Sequence, residues 1–264
     1  MDLELRGKSV LITGGSKGIG YACAAAFAAE GCTIHIAARN PETLDEARQK
    51  LVNHYGVAVH IHPCDLGVSA NAISLAQACG SVDVLVNNAG AIPPGGIAQV
   101  NDETWRRAWD LKVFGFINLT REVYAGMRER RSGAIVNVIG IAAEVNRAGY
   151  IVGSSGNASL VAFTRALGAE STDYGVRVTG VSPGRIQTDR QLRSVREAAK
   201  RKFGDQERWP EVLAEVSEKF PFKRFGRPEE VADLVVFLAS ARASYISSTV
   251  VTIDAGQSYR PGNY

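Results

Sequence analysis

Short, mostly apolar runs alternate with amphipathic or alanine-rich stretches along the chain. Lys8 to Ile12, Thr33 to Ala37, Val57 to Ile61 and Val82 to Val86 are runs of the first kind. Ala134 to Ile139, Val176 to Val181 and Val250 to Ile253 repeat it further on. Continuous apolar character, without strict alternation, suits strands whose sheet is covered on both faces. Between them, Tyr21 to Glu30 is rich in alanine and reads as a helix. Pro41 to Asn53 reads as a polar-faced helix with proline in its first turn, and Val68 to Ala78 as another. Thr104 to Arg130 predicts one long helix, Tyr150 to Tyr174 a second, and Glu229 to Ala239 a third, introduced by Pro228. Strand and helix alternating in this way predict right-handed βαβ crossovers, a parallel sheet and helices on both faces. The expected class is α/β, a doubly wound Rossmann-type domain.

One segment breaks the alternation. From about Asp189 to Arg227 the chain is charged and helical in pattern, with no strand. Ligands of open α/β sheets bind beyond the carboxyl ends of the strands, and an insertion after the sixth strand sits at that edge. The segment is therefore expected to act as a lid, with Phe203, Trp209 and Phe220 offering apolar contacts to a substrate. A plain surface hairpin is the alternative. The basic cluster from Arg193 to Lys202 reads either as a contact for an anionic small-molecule substrate or as a solvated helix face.

Composition narrows the class further. Hydrophobic residues make up 45% of the 264 and charged residues 22%, enough for one large core without disulfides. A net charge of +3 gives no argument for nucleic acid as a partner. Cys23, Cys32, Cys64 and Cys79 form no C-x-x-C pair and read as buried free thiols. His60 and His62 share a strand face, but the sequence shows no third ligand near them, so no metal site is expected. Met1 to Gly7 is charged, and no apolar run is long enough to span a bilayer. The expectation is a cytoplasmic protein with no membrane partner.

The first strand runs into Thr13-Gly14-Gly15-Ser16-Lys17-Gly18-Ile19-Gly20 and then a helix. Glycines allow a sharp turn and close approach of backbone to a pyrophosphate, and the helix start adds free N–H groups and a positive dipole end. This predicts a dinucleotide cradle. A carboxylate closing the second strand would bind a ribose hydroxyl and favour NAD. Here the strand ends Ala37-Ala38-Arg39-Asn40. Arg39 can offer a planar fork to a 2′-phosphate and Lys17 a second cation, so NADP(H) is favoured over NAD(H). Asp65, after the third strand, is placed to meet the adenine amino group or to cap the following helix.

These residues resemble the short-chain dehydrogenase/reductase family, over Gly7 to about Gln257. The resemblance rests on Thr13 to Gly20, on Asn87-Asn88-Ala89-Gly90, on Pro183-Gly184 with Thr188, and on Val251 to Gly256. It implies a seven-stranded parallel sheet flanked by helices, oxidoreductase chemistry on a carbonyl or alcohol, and a homodimer or homotetramer. It adds Leu66, Asn88, Ala89, Gly90, Pro183, Gly184 and Thr188 to the cofactor-binding set of Gly14, Ser16, Lys17, Gly18, Ile19, Gly20, Arg39 and Asp65.

The family's usual Asn, Ser, Tyr and Lys fall, by the same alignment, on Lys112, Gly140, Gly153 and Asn157. Carbonyl reduction needs a proton donor for the developing alkoxide, and losing it typically costs about 10²–10⁴ in rate. Three readings follow. The acid is relocated, with Tyr150, Lys112 and Asn157 as catalytic residues and Gly153 leaving room beneath Tyr150. Alternatively, the chain holds NADP(H) without turnover, as a sensor or assembly partner. Or the chemistry is not redox but a lyase or isomerase reaction, with Lys112 as base or Schiff-base former.

Overall fold

The computed structural model describes residues 2–260; Met1 and residues 261–264 lie outside the description. Seven strands form one parallel sheet: β1 Ser9–Thr13, β2 Thr33–Ala38, β3 Val59–Pro63, β4 Val84–Asn87, β5 Gly133–Val138, β6 Val176–Pro183 and β7 Thr249–Ile253. Their spatial order is β3-β2-β1-β4-β5-β6-β7. The principal helices are α1 Gly18–Ala29, α2 Pro41–Tyr55, α3 Ser69–Cys79, α4 Asp102–Trp109, α5 Gly115–Glu129, α6 Ile151–Glu170, α7 Asp189–Phe203, α8 Trp209–Ser217 and α9 Pro228–Ala239. The doubly wound α/β reading and the seven-stranded sheet stand.

The apolar strands divide their side chains between two cores because successive residues point to opposite faces. Val10, Ile12, Ile34, Ile36, Val84, Val86 and Val136 face one way, against Phe27 of α1 and Val235 of α9. Leu11, Leu85, Ile135 and Val178 face the other, against Leu75, Leu119, Val123 and Met127. Both faces being covered accounts for the continuous apolar runs.

A buried polar chain crosses the carboxyl half of the sheet. The Asn87 amide donates to Thr120 Oγ1 and to Asn137 Oδ1, each at 2.9 Å, and Asn137 Nδ2 donates to Thr164 Oγ1 at 2.9 Å. It ties β4 and β5 to α5 and α6 beneath the groove described below.

The structure departs from the sequence reading in three places. The stretch expected as one helix from Thr104 to Arg130 is two, α4 and α5, joined by a π-helical turn over Asp110–Phe114. The wider turn carries Lys112 into the interior, where Nζ donates to the Val138 carbonyl at 2.7 Å. A single extra residue per turn leaves no mark in hydrophobic periodicity. Second, Phe203, Trp209 and Phe220 pack against Val195, Ala199, Val212 and Phe225 in a small core of their own, so their apolar surface is used within the helical pair.

Third, His62 does have ligand-type neighbours, while His60 stacks on the His35 ring. Register puts His35 of β2 opposite His60 and Ala37 opposite His62. His35 Nδ1 lies 3.0 Å from His62 Nε2, and Cys79 Sγ, at the end of α3, lies 3.6 Å from that same nitrogen. Burial, with His62 and His60 beside it, holds the His35 imidazole down at about 4, so it is neutral at physiological pH.

The buried amide chain gives a direct test. Asn137→Ala removes both of its side-chain hydrogen bonds and strands the Thr164 and Asn87 partners in a dry interior. We expect a loss of about 2–4 kcal/mol in urea unfolding, with the slope unchanged.

Candidate active site

Strand β1 pairs with β2 on one side and β4 on the other, so the connections leaving its end and the end of β4 diverge. A groove of about 900 Å³ opens there, at the carboxyl ends of the strands. Its floor is stapled across the switch point. Thr13 Oγ1 accepts from the Asn88 and Ala89 amides at 2.9 and 3.0 Å, and Asn88 Nδ2 donates to the Thr13 carbonyl at 3.0 Å. A Cβ on Gly20 would lie 2.2 Å from the Gly14 carbonyl oxygen, so only glycine lets α1 start this close to the turn. Lys17 is the N-cap of α1 and makes no side-chain cap, leaving the first amides of that helix to the groove.

Gly14, Lys17, Gly18, Ile19, Arg39 and Asp65 line the groove. Asn88, Ala89, Gly90 and Thr188 line it too, with Thr188 against Gly18, and Arg190 and Arg193 enter it from the start of α7. The remaining residues of the predicted set are near but outside the lining. Gly20 closes the turn, and Ser16 is half-buried within it. Leu66 is buried in the second core. Pro183 pairs with Ile253 at the end of β6, and Gly184 abuts Asp254. Asp65 does not cap α3, whose N-cap is Val68; its Oδ1 accepts from the Gly67 amide at 2.9 Å. Asn40 caps α2 by accepting from the Thr43 amide at 2.7 Å, so no carboxylate stands at the end of β2.

Lys112, Gly140, Tyr150, Gly153 and Asn157 do not line this groove: Lys112 lies behind Gly90, Asn157 lies against Gly140, and Tyr150 lines a separate hollow with Pro94, Asn146 and Arg147. Lys112 is 7% exposed. Its stem passes so close to Gly90 that a Cβ there would sit 2.6 Å from Cδ. Burial, with the Arg190 guanidinium nearby, brings its ammonium down to about 7. Asn157, 4% exposed, faces Gly140, and its Oδ1 has no hydrogen-bond partner among the described residues.

Tyr150 is the N-cap of α6, with backbone φ −144° and ψ 40°. Its segment is pinned to the loop after β4: the Gly95 amide donates to the Gly149 carbonyl at 2.8 Å and the Ile151 amide to the Gly95 carbonyl at 3.3 Å. The ring then folds over the first turn of α6. A Cβ on Gly153 would lie 1.9 Å from Tyr150 Cε1 and 2.2 Å from Cζ. The Tyr150 ring therefore fills the volume that a side chain at 153 would enter. Burial raises the phenol above its ordinary value, while Arg190, by charge and hydrogen bond, and Arg147 pull it back.

Sequence reasoning missed Arg190 and Arg147. No motif marks either; Arg190 reaches the site because α7 begins there, and it is also anchored on the Ile92 carbonyl. The site thus offers a protonated phenol, several cations and one orphaned amide acceptor beside a phosphate-type cradle. Such a set can stabilise and protonate an oxyanion.

Residues 14–258 match the family model described as Enoyl-(Acyl carrier protein) reductase. The 2,3-dihydro-2,3-dihydroxybenzoate dehydrogenase of Bacillus subtilis strain 168 is 33% identical over 260 residues, covering 96% of each chain. The 3-oxoacyl-(acyl-carrier-protein) reductase of Aquifex aeolicus strain VF5 is 30% identical, covering 97% of this chain and 99% of its own. Among solved structures, L-sorbose reductase from Gluconobacter frateurii, complexed with NADPH and L-sorbose, superposes with a TM-score of 0.92 at 34% identity, covering 97% of this chain and 98% of that one.

The buried Lys112 should be visible in stability. Its ammonium is held at about 7 in the fold, against about 10.4 in an unfolded chain, so the unfolded state binds more protons between those values. Wild-type stability relative to Lys112→Met should therefore be flat below pH 7 and rise from pH 7 toward pH 10. Urea unfolding of both proteins across that range checks it. Parallel curves would mean that the amine is not desolvated.

Proposed function

The chain belongs to the short-chain dehydrogenase/reductase family of oxidoreductases, and on that premise we propose that it is an NADPH-dependent reductase of a small carbonyl compound carrying an anionic group. The observation that carries this reading is the Tyr150 ring standing in the space vacated by Gly153. The resemblance puts the usual tyrosine at 153; a phenol entering the same volume from three residues earlier supplies the missing acid.

The cradle suits a phosphorylated dinucleotide. Lys17 and Arg39 lie in the groove, neither engaged in an ion pair among the described residues, and no carboxylate competes at the end of β2. The Gluconobacter relative was solved with NADPH. Asn157 Oδ1, buried without a partner, is an acceptor suited to a ribose hydroxyl. When bound, the dinucleotide supplies the hydride.

This chain's residues handle the proton and the charge. Tyr150 O–H donates to the substrate carbonyl oxygen as negative charge grows there and passes its proton to it. Burial keeps the phenol protonated at neutral pH beforehand, and Arg190 and Arg147 stabilise the phenolate left afterwards. Lys112 and Asn157 exchange the family's usual Asn and Lys, so the cation reaches the site from the π turn rather than from α6. Arg190 acts on both Lys112 and Tyr150, linking the two. With cations on the substrate side, a substrate bearing a carboxylate or phosphate is favoured. The α7–α8 pair, residues 189–227, is proposed as the cover of the groove, since Arg190 and Arg193 reach it from the first turn of α7.

Two experiments test the reading. Tyr150→Phe should lower kcat about 10²–10⁴-fold on a 2- or 3-oxo acid that the wild type reduces, with NADPH affinity unchanged. Gly153→Ala should do nearly the same while keeping the phenol, because the added methyl displaces the ring. Full turnover by both variants would overturn the acid assignment. Tight NADPH binding with no oxidation across an oxo-acid panel would favour the non-turnover reading instead. Separately, Arg39→Ala should weaken NADPH about 10–100-fold and leave NADH within threefold, measured by calorimetry.

A further inference from the structure

At the edge of the sheet, beneath β3 and away from the groove, three donor side chains from three elements converge. His35 comes from β2, His62 from β3 and Cys79 from the last position of α3. Their donor atoms, one nitrogen from each imidazole and the thiol sulfur, all lie within 4.8 Å of one another. His35 and Cys79 are buried and His62 is half-buried. We propose that His35, His62 and Cys79 form a binding site for a zinc-class divalent ion, separate from the dinucleotide groove.

The spacing is that of a coordination shell. On a tetrahedron with Zn–N near 2.0 Å and Zn–S near 2.3 Å, two nitrogens stand about 3.3 Å apart and a nitrogen and a sulfur about 3.6 Å. The His35–His62 separation is 3.0 Å and the His62–Cys79 separation is 3.6 Å. The second already meets its value; the first requires both rings, now nearly in line with centroids 5.2 Å apart, to swing so that their lone pairs converge on the ion. Two imidazoles and a thiolate select zinc, cobalt or a similar ion over calcium or magnesium, which require oxygen donors.

The scaffold holds the donors in place. The β2–β3 ladder fixes His35 opposite His60 and sets His62 one pleat further on the same face. His60 stacks on His35 with ring centroids 4.7 Å apart, which restrains the ring that must present Nδ1. His62 is half-buried, so solvent can take the fourth position. A hydrogen-bonded imidazole pair accounts for His35 and His62 alone, but it gives no reason for a thiol directed at the same nitrogen. On binding, the proton shared by the two rings moves to the other nitrogen of its own ring. The thiol proton passes to solvent, leaving a thiolate ligand.

The test uses the full-length, tag-free chain after chelator treatment. Zinc titrated calorimetrically should bind with one equivalent, and cobalt(II) should give a thiolate-to-cobalt charge-transfer band in the near ultraviolet. Cys79→Ser should abolish that band, and Cys79→Ser and His62→Gln should each weaken zinc at least 100-fold. His60→Gln, which removes a neighbour but no donor, should keep affinity within threefold. Far-ultraviolet circular dichroism and urea unfolding, read on every variant, establish that each is folded. Absence of binding, binding without the charge-transfer band, or equal affinity in all variants would overturn the proposal, and none of these outcomes bears on the reductase reading.

Discussion

The double pairing of β1 is the constraint on which the rest of the molecule depends. Val10, Leu11 and Ile12 are hydrogen-bonded to β2 on one side and to β4 on the other. Successive connections must therefore leave in opposite directions from neighbouring strand ends, and a groove has to open between them. The Thr13–Asn88 hydrogen bonds close its floor, and the contact of Gly20 with the Gly14 carbonyl brings the helix start up to it. Backbone polarity at the groove is thus a product of sheet order. The side chains above it are free to differ without cost to the cradle.

Behind the groove, three side chains are set against glycines. The Lys112 amine stands on the π turn, the Asn157 amide on α6, and the Tyr150 phenol at the cap of that helix. Each position is compatible with the fold because a compensating gap accompanies it. Gly90 admits the Lys112 stem, Gly140 faces the Asn157 amide, and Gly153 admits the Tyr150 ring. The interior is packed closely enough that a single methyl at 153 would collide with that ring. The proposed chemistry asks of these groups only a protonated phenol and cations to receive its charge. Burial supplies the first, and Arg190 contributes to the second.

The sheet edge shows a different use of the same scaffold. Parallel pairing of β2 with β3 brings residues 27 positions apart, His35 and His62, to hydrogen-bonding distance, and α3 returns Cys79 from 17 positions further on. Burial makes these imidazoles poor bases but does not remove their lone pairs. The cluster therefore sits apart from the groove in both place and chemistry.

The strand–helix alternation, the parallel sheet covered on both faces, the glycine turn after β1 and the absence of a carboxylate beyond β2 are legible in the residues alone. These are local signals: periodicity, glycine at a tight turn, and the residue that ends a strand are properties of a few neighbours along the chain. Lys112, Tyr150 and Asn157 were legible as residues, but not how they would be directed. Three-dimensional packing sets the rest: a π turn carries Lys112 inward, the Tyr150 ring fills the space at Gly153, Arg190 acts on both, and His35 and Cys79 join His62. Each of these depends on the angle at which one element meets another. That angle is set by packing between residues far apart in the chain, which no local pattern encodes.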